Sequence, residues 1–269
     1  MQDIVSFHNF MLWLITGITL FVLALMLYIM YRFNAKSNPV PSKNTHNTVL
    51  EVVWTVVPIL ILVAMAIPSF RLLYKEDVVP NAARVAEMYG IDVGGEITLK
   101  ATGFQWAWQY DYLDNGISLF ASCLYGPVYY CFGGPAPEGA LRLLETDNPV
   151  VVPVNTLIKV QVTAGQVIHA WAVPAFGVKI DAVPGRLNAT WFVAQREGTF
   201  YGQCSELCGQ YHGYMPIEVK VVSRAEYDAW VTQQLAAAQP DRLKAPSTLF
   251  AQQGLSARVG ATVHPVFVS

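Results

Sequence analysis

Residues 198–222 read GTFYGQCSELCGQYHGYMPIEVKVV. Two β-rich runs, GTFYGQ and MPIEVKVV, flank a loop that carries Cys204, Cys208, His212 and Met215. A tight loop between two strands delivers all four side chains to one point. His169 lies upstream, after another β-rich run, LIKVQVTA. One thiolate, two imidazoles and a weak axial thioether make a blue-copper site. This chain holds that set with one extra cysteine, and two thiolates can bridge two metals with one histidine terminating each. Soft sulfur and imidazole select copper, zinc or iron–sulfur over hard ions. A Cys204–Cys208 disulfide in an oxidising compartment and a zinc site completed by His169 and His212 use the same residues. The joint spacing, with Met215 added on a β scaffold, favours copper. The C-x-x-C-H haem-attachment pattern is absent, because three residues separate the cysteines.

The runs around this loop share its texture. EITLKATGF, QWAWQYDY and ATWFVAQ are short and β-rich, and Asp114-Asn115-Gly116, Pro184-Gly185 and Glu197-Gly198 supply turns. They predict an all-β sandwich or barrel over residues 80–223. Residues 224–269 read as a closing helix from Arg224 to about Ala238, N-capped by Ser223, and then an Ala/Gln/Ser-rich tail.

Residues 1–79 are different. Phe10–Tyr31 is apolar and uncharged, and Val52–Phe70 forms a second apolar run despite Pro58 and Pro68. About twenty apolar residues are what a helix needs to cross a bilayer, and membrane helices tolerate proline. A cleaved signal peptide would have a shorter apolar core with a basic residue ahead of it, whereas Asp3 precedes this run and Arg32 follows. The connecting loop carries Arg32, Lys36 and Lys43 and no acid, which predicts a cytoplasmic loop with both termini on the opposite, periplasmic side. The fold class expected is thus a membrane hairpin of two transmembrane helices plus an all-β domain.

Composition agrees. Charged residues are 13% and hydrophobic ones 54%, a bias toward a chain partly in lipid. A net charge of −2 leaves no footprint for nucleic acid. Four cysteines are too few for a disulfide scaffold. Between Pro80 and Trp230 stand 14 Asp/Glu against 9 Lys/Arg, a balance that suits a basic partner and equally a merely soluble domain.

GFQWAWQYDY, LRLLETDNPVVVPV, IHAWAVPAFGVKIDAVPGRLN and YGQCSELCGQYHGYMPI carry a specific resemblance. The chain resembles subunit II of haem–copper cytochrome c oxidases of bacterial or mitochondrial type, from the hairpin to about Trp230. The resemblance implies a cupredoxin-like β domain with a binuclear copper centre, CuA. Cys204 and Cys208 match the bridging thiolates, His169 and His212 the terminal imidazoles, Met215 the weak thioether and Glu206 a backbone-carbonyl ligand. It implies that the Glu206 carboxylate helps hold a magnesium (or manganese) ion at the border with subunit I. It makes Trp106 the exposed residue where cytochrome c delivers its electron, with Trp108 weighed as a core aromatic. Asp111, Asp114, Glu145 and Asp147 match an acidic docking face. Glu51 matches a position near the mouth of a proton path, where a charge could equally mark the membrane border. Haems belong only to the partner, subunit I; subunit III and lipid are further partners. The location implied is the bacterial cytoplasmic membrane, with the mitochondrial inner membrane as its equivalent.

Three other functions fit less of the chain. A quinol-oxidase subunit II lacks the cysteine–histidine set. A nitrous oxide reductase shares the copper loop but needs a large propeller and no hairpin. A membrane-anchored zinc domain would be colourless. Residues 115–139, NGISLFASCLYGPVYYCFGGPAPEG, match no motif of the family. They hold Cys123 and Cys131, for which a short-loop disulfide is expected.

Overall fold

The structure, a computed structural model, describes residues 2–123, 139 and 141–238. Helix α1 (Gln2–Arg32) and helix α2 (Thr48–Asp77) contain no buried residue. Leu, Ile and Val on every side of both helices therefore need an apolar medium from outside the chain. Their 31 and 30 residues reach further than the apolar runs 10–31 and 52–70, at about 1.5 Å per residue well beyond a ~30 Å hydrocarbon core. Asn47 caps α2 by accepting the Leu50 amide, and Pro58 and Pro68 lie within the helix without ending it.

The ends of the hairpin remote from the 33–47 loop are clasped. Lys75 Nζ lies 2.7 Å from Asp3 Oδ2, and the Tyr89 hydroxyl donates to the same oxygen at 3.2 Å. Tyr89 ends α3 (Ala82–Tyr89), a short helix that the sequence reading does not anticipate. Asn81 caps it, Gly90 ends it in a left-handed turn (φ 63°), and Val85 is its one buried residue.

Ten strands follow: β1 (Glu96–Phe104), β2 (Ala107–Tyr112), β3 (Ile117–Ala121), β4 (Val150–Pro153), β5 (Leu157–Ala164), β6 (His169–Val173), β7 (Val178–Ala182), β8 (Asn188–Val193), β9 (Gly198–Gln203) and β10 (Pro216–Val222). One sheet runs β3-β2-β1-β5-β8, with β1 and β5 parallel. A second runs β4-β10-β9, with β4 and β10 parallel, and β6-β7 form a separate pair. Strands β1 and β5 alternate buried and part-exposed residues, the mark of a sheet with one face on a core. Leu99, Val160, Val162, Trp108 and Trp171 fill that core. This is the cupredoxin-like sandwich expected. Later in the chain comes α4 (Arg224–Ala237), where Ser223 Oγ accepts the Glu226 amide and Glu226 reaches back to the Ser223 amide.

Two tyrosines tie the sandwich across its layers. The Tyr110 hydroxyl accepts from Trp171 Nε1 at 3.3 Å. The Tyr112 hydroxyl accepts the Val151 amide at 2.8 Å and donates to the Val151 carbonyl at 3.0 Å. Burial raises both phenols far above their ordinary range, so they act only as neutral hydrogen-bonding groups. Strand β3 opens the segment that matches no family motif. Cys123 forms an isolated bridge with Thr146 and is disulfide-bonded; Cys131, its expected partner, lies outside the described residues.

Tyr112→Phe removes the hydroxyl that serves both backbone groups of Val151. A buried group left unsatisfied costs about 1–3 kcal/mol. Thermal unfolding of the full chain should show a midpoint several degrees lower; an unchanged midpoint would mean that Val151 finds other partners.

Candidate metal centre

The centre hangs between β9 and β10, whose antiparallel pairing sets Gln203 opposite Pro216. The Cys204 amide donates to the Met215 carbonyl at 3.0 Å and closes the loop. The Ser205 amide donates to Ala170 O on β6 at 3.1 Å and fastens the loop to the strand that begins with His169. Strand β9 can lie this close to β6 because residue 202 is glycine: a Cβ there would collide with the Ala172 carbonyl.

The donor atoms form a chain. His169 Nδ1 stands 3.7 Å from Cys204 Sγ, Cys204 Sγ 3.9 Å from Cys208 Sγ, and Cys208 Sγ 3.5 Å from His212 Nδ1. Glu206 O lies 3.4 Å from Cys204 Sγ. His169, Cys204, Cys208 and Met215 are buried and His212 is half-buried. A metal–sulfur bond is about 2.3 Å. Two sulfurs 3.9 Å apart can therefore both touch one ion, with one imidazole nitrogen waiting at either end. Both cysteines are free thiols, which sets aside the disulfide alternative in this structure. Packing rather than hydrogen bonding holds the His169 ring. It faces Trp108 at 5.9 Å and Gly103, and its Nε2 has no hydrogen-bond partner among the described residues.

Burial, and then the neighbouring Cys204, pushes the Cys208 thiol up to about 12. Burial, and then His212, lowers the His169 imidazole, which favours the neutral form that ligates. A metal that binds Cys208 as thiolate must displace its proton.

The other anticipated residues are spread more widely. Trp106 is half-buried rather than exposed; its ring meets Tyr211 edge-on at 4.7 Å, and its Nε1 donates to Cys208 O at 3.2 Å. Trp108 is fully buried, as the core-aromatic alternative has it. Asp111, half-buried on β2, accepts from Gln109 and Ser118. Asp114 accepts the Thr98 amide in the turn after β2, so the six residues of β2 separate it from Trp106, about 20 Å of strand. Asp147 accepts the Ser122 amide and hydroxyl, and Glu145 is half-buried beside it in the chain. Two of the four acids thus also shape loops. Glu206 is half-buried. Glu51 lies at the start of α2, its carboxylate 3.4 Å from the Asn47 amide.

The sequence reading passed over Gln105, whose side chain also donates to Cys208 O at 3.2 Å; its place beside Trp106 in the quoted motif was the available signal. It also passed over Glu218, buried on β10, which accepts the Thr146 amide at 2.8 Å.

Residues 97–222 match the family "Cytochrome C oxidase subunit II, periplasmic domain", and residues 1–72 match "Cytochrome C oxidase subunit II, transmembrane domain". Over 234 residues the chain is 42% identical to a probable cytochrome c oxidase subunit 2 of Rickettsia conorii, covering 87% of this chain and 68% of that one. It is 46% identical over 236 residues to cytochrome c oxidase subunit 2 of Cereibacter sphaeroides, covering 84% and 74%. The crystal structure of the periplasmic domain of subunit II of cytochrome oxidase of Bradyrhizobium japonicum is 50% identical, covers 52% of this chain and 94% of that one, and superposes with a TM-score of 0.47.

Two outcomes follow from the geometry. A Cβ on Gly103 would stand 2.8 Å and 2.9 Å from two carbons of the His169 ring. Gly103→Ala should therefore weaken metal binding about tenfold or more, measured by chelator competition; wild-type affinity would show that the ring has room to shift. Because the Cys208 thiol is protonated at neutral pH, loading should release protons and apparent affinity should rise with pH. Loading without proton release, followed in weakly buffered solution, would mean that Cys208 does not bind as thiolate.

Proposed function

Because the chain belongs to the cytochrome c oxidase subunit II family, we propose that it is the subunit through which electrons enter a haem–copper oxidase. It accepts electrons singly from cytochrome c at a binuclear CuA centre and passes them to haem in subunit I, where oxygen is reduced to water and protons are pumped. Helices α1 and α2 anchor it in the membrane. The 33–47 loop faces the cytoplasm, and the β domain and both termini face the periplasm. Subunit III is a further neighbour in the complex.

The observation that carries this reading is the donor chain, imidazole–sulfur–sulfur–imidazole, with successive contacts of 3.7, 3.9 and 3.5 Å. Cys204, Cys208, His169 and His212 would hold the copper pair, with Met215 and the Glu206 carbonyl as weak ligands. A copper pair held this way supplies a one-electron couple whose charge change is spread over soft atoms. The protein's part is to hold the donors still, so that little rearranges when an electron arrives. The loop's bonds to β6 and β10 and the packed His169 ring serve that purpose. The Glu206 carboxylate would help hold a magnesium ion at the border with subunit I. Glu51, at the cytoplasmic start of α2, stands at the entrance of a proton path.

Trp106 supplies the way in. Its side chain is half-buried, and its indole N–H meets the carbonyl of Cys208, so a path to that sulfur needs one hydrogen bond and the bonds of one residue. Asp111, Asp114, Glu145 and Asp147 steer a basic cytochrome c toward this side, and salt weakens that steering.

The full chain loaded with copper should carry two coppers and be purple when oxidised. Cys204→Ser should leave a mononuclear or empty site. One copper per wild-type chain, with single-copper hyperfine structure in electron spin resonance, would sink the binuclear reading, and a colourless zinc-loaded protein would sink copper altogether.

Trp106→Ala should slow electron transfer from bound cytochrome c by orders of magnitude while affinity changes little. Asp111→Asn, which keeps an acceptor for Gln109 and Ser118, should do the reverse: weaker, less salt-sensitive docking with normal transfer once bound. Wild-type turnover in the Trp106 variant would place the electron's entrance elsewhere.

A further inference from the structure

Tyr211 stands in the loop between two donors of the candidate centre, Cys208 and His212. Its backbone is fixed by that loop. The His212 amide donates to the Gly209 carbonyl at 3.2 Å, and the Tyr214 amide donates to the Tyr211 carbonyl at 2.9 Å. The Tyr211 ring meets the Trp106 ring at 4.7 Å and 86°, the T-shaped arrangement that aromatic quadrupoles favour. It also meets the Tyr214 ring, at 6.2 Å and 85°. Trp106, Tyr211 and Tyr214 are all half-buried, so three linked rings keep part of their surface open.

Trp106 comes from a distant part of the chain, just before β2, and the loop from Cys208 to Tyr211 gives it a seat. Its indole N–H donates to the Cys208 carbonyl at 3.2 Å. Gly209, at φ 122°, leaves room for the ring: a Cβ there would stand 3.1 Å from Cζ2 and 3.4 Å from Nε1 of Trp106. Tyr211 supplies the third contact. The three do different things. The hydrogen bond holds one atom, and the Gln105 side chain shares the same carbonyl at 3.2 Å. The missing side chain at Gly209 permits the approach without holding it. Only the Tyr211 ring fixes the indole plane. Without it, Trp106 keeps its bond and is free to tilt.

We propose that Tyr211 is a positioning residue for electron entry. It holds the Trp106 plane in one orientation before a partner arrives, so that docking does not have to select that orientation from several. Tyr211 neither gives nor takes an electron; it acts only through Trp106. This rests on the reading of Trp106 as the entrance. The seat is made by residues that lie between two metal donors, so the loop that holds the metal also orients the way in.

The test uses the full chain in its oxidase. Tyr211→Phe keeps the ring and should match wild type. Tyr211→Ala should slow transfer from bound cytochrome c about three- to tenfold, with docking affinity, copper spectrum and copper potential unchanged. Tyr211→Leu, which keeps apolar bulk without a ring, should do the same and carries the test if alanine loosens the loop. Added to Trp106→Ala, Tyr211→Ala should slow transfer no further, because its effect runs through the missing indole. A second readout needs neither metal nor partner. In the metal-free chain with isotope-labelled tryptophan, the indole N–H signal lost in Trp106→Phe is that of Trp106. Deuterium should replace this proton about three- to tenfold faster in Tyr211→Ala and Tyr211→Leu than in wild type or Tyr211→Phe. Unchanged exchange in both would overturn the proposal. So would a Phe variant as slow as the Ala variant, or additive slowing in the double variant. Wild-type transfer in Trp106→Ala, together with faster exchange in Tyr211→Leu, would overturn the entrance reading and not the seating of the indole by Tyr211.

Discussion

The pairing of β9 with β10 is the constraint on which the centre depends. Its last backbone link is the Cys204 amide on the Met215 carbonyl at 3.0 Å. A strand's side chains alternate faces, so a slip of one residue in this ladder would put Cys204 and Met215 on opposite faces. Register is in turn held by burial. Ile217, Val219 and Val221 face the core from β10, and Gly202 lets β9 press against β6 without a side chain between them. The second link, Ser205 N to Ala170 O, fixes where His169 meets the sulfurs. Three strands from distant parts of the chain are thereby locked to one another before any metal is considered.

Much of this was legible beforehand where the sequence kept a period. EITLKATGF and LIKVQVTA alternate, and they are β1 and β5 residue for residue. Two of the four strands that escaped notice, β4 and β6, lack that signal. HAWAV is buried at all five positions and VVVP at all four, so neither shows the alternation that reveals a half-buried strand. His169 was therefore recognised as a donor before its own strand was. The donors themselves were readable because chemistry, not packing, dictates their types and spacing.

Tertiary partners were not readable. Asp147 was marked for its charge, yet two of its hydrogen bonds go to Ser122, 25 residues away. Glu218 lies in a run that alternates charge with valine and so reads as facing solvent. It is buried because the Thr146 amide and Lys220, at 3.7 Å, meet its carboxylate. Neither role leaves a local trace. The same holds for Trp106, whose indole N–H is spent on Cys208 and whose ring is consequently half-covered.

The Asp3–Lys75–Tyr89 clasp also bears on the order of events during synthesis. Asp3 leaves the ribosome 72 residues ahead of Lys75 and 86 ahead of Tyr89. The first helix can therefore be complete while its carboxylate still lacks both partners. They reach it only after the second helix has been made and the turn beyond it has folded back. A nascent chain arrested between the two helices would display a bare carboxylate at the far end of its only span. The clasp is thus a property that only a finished hairpin can have, and it separates the matured anchor from any chain that ends before Tyr89.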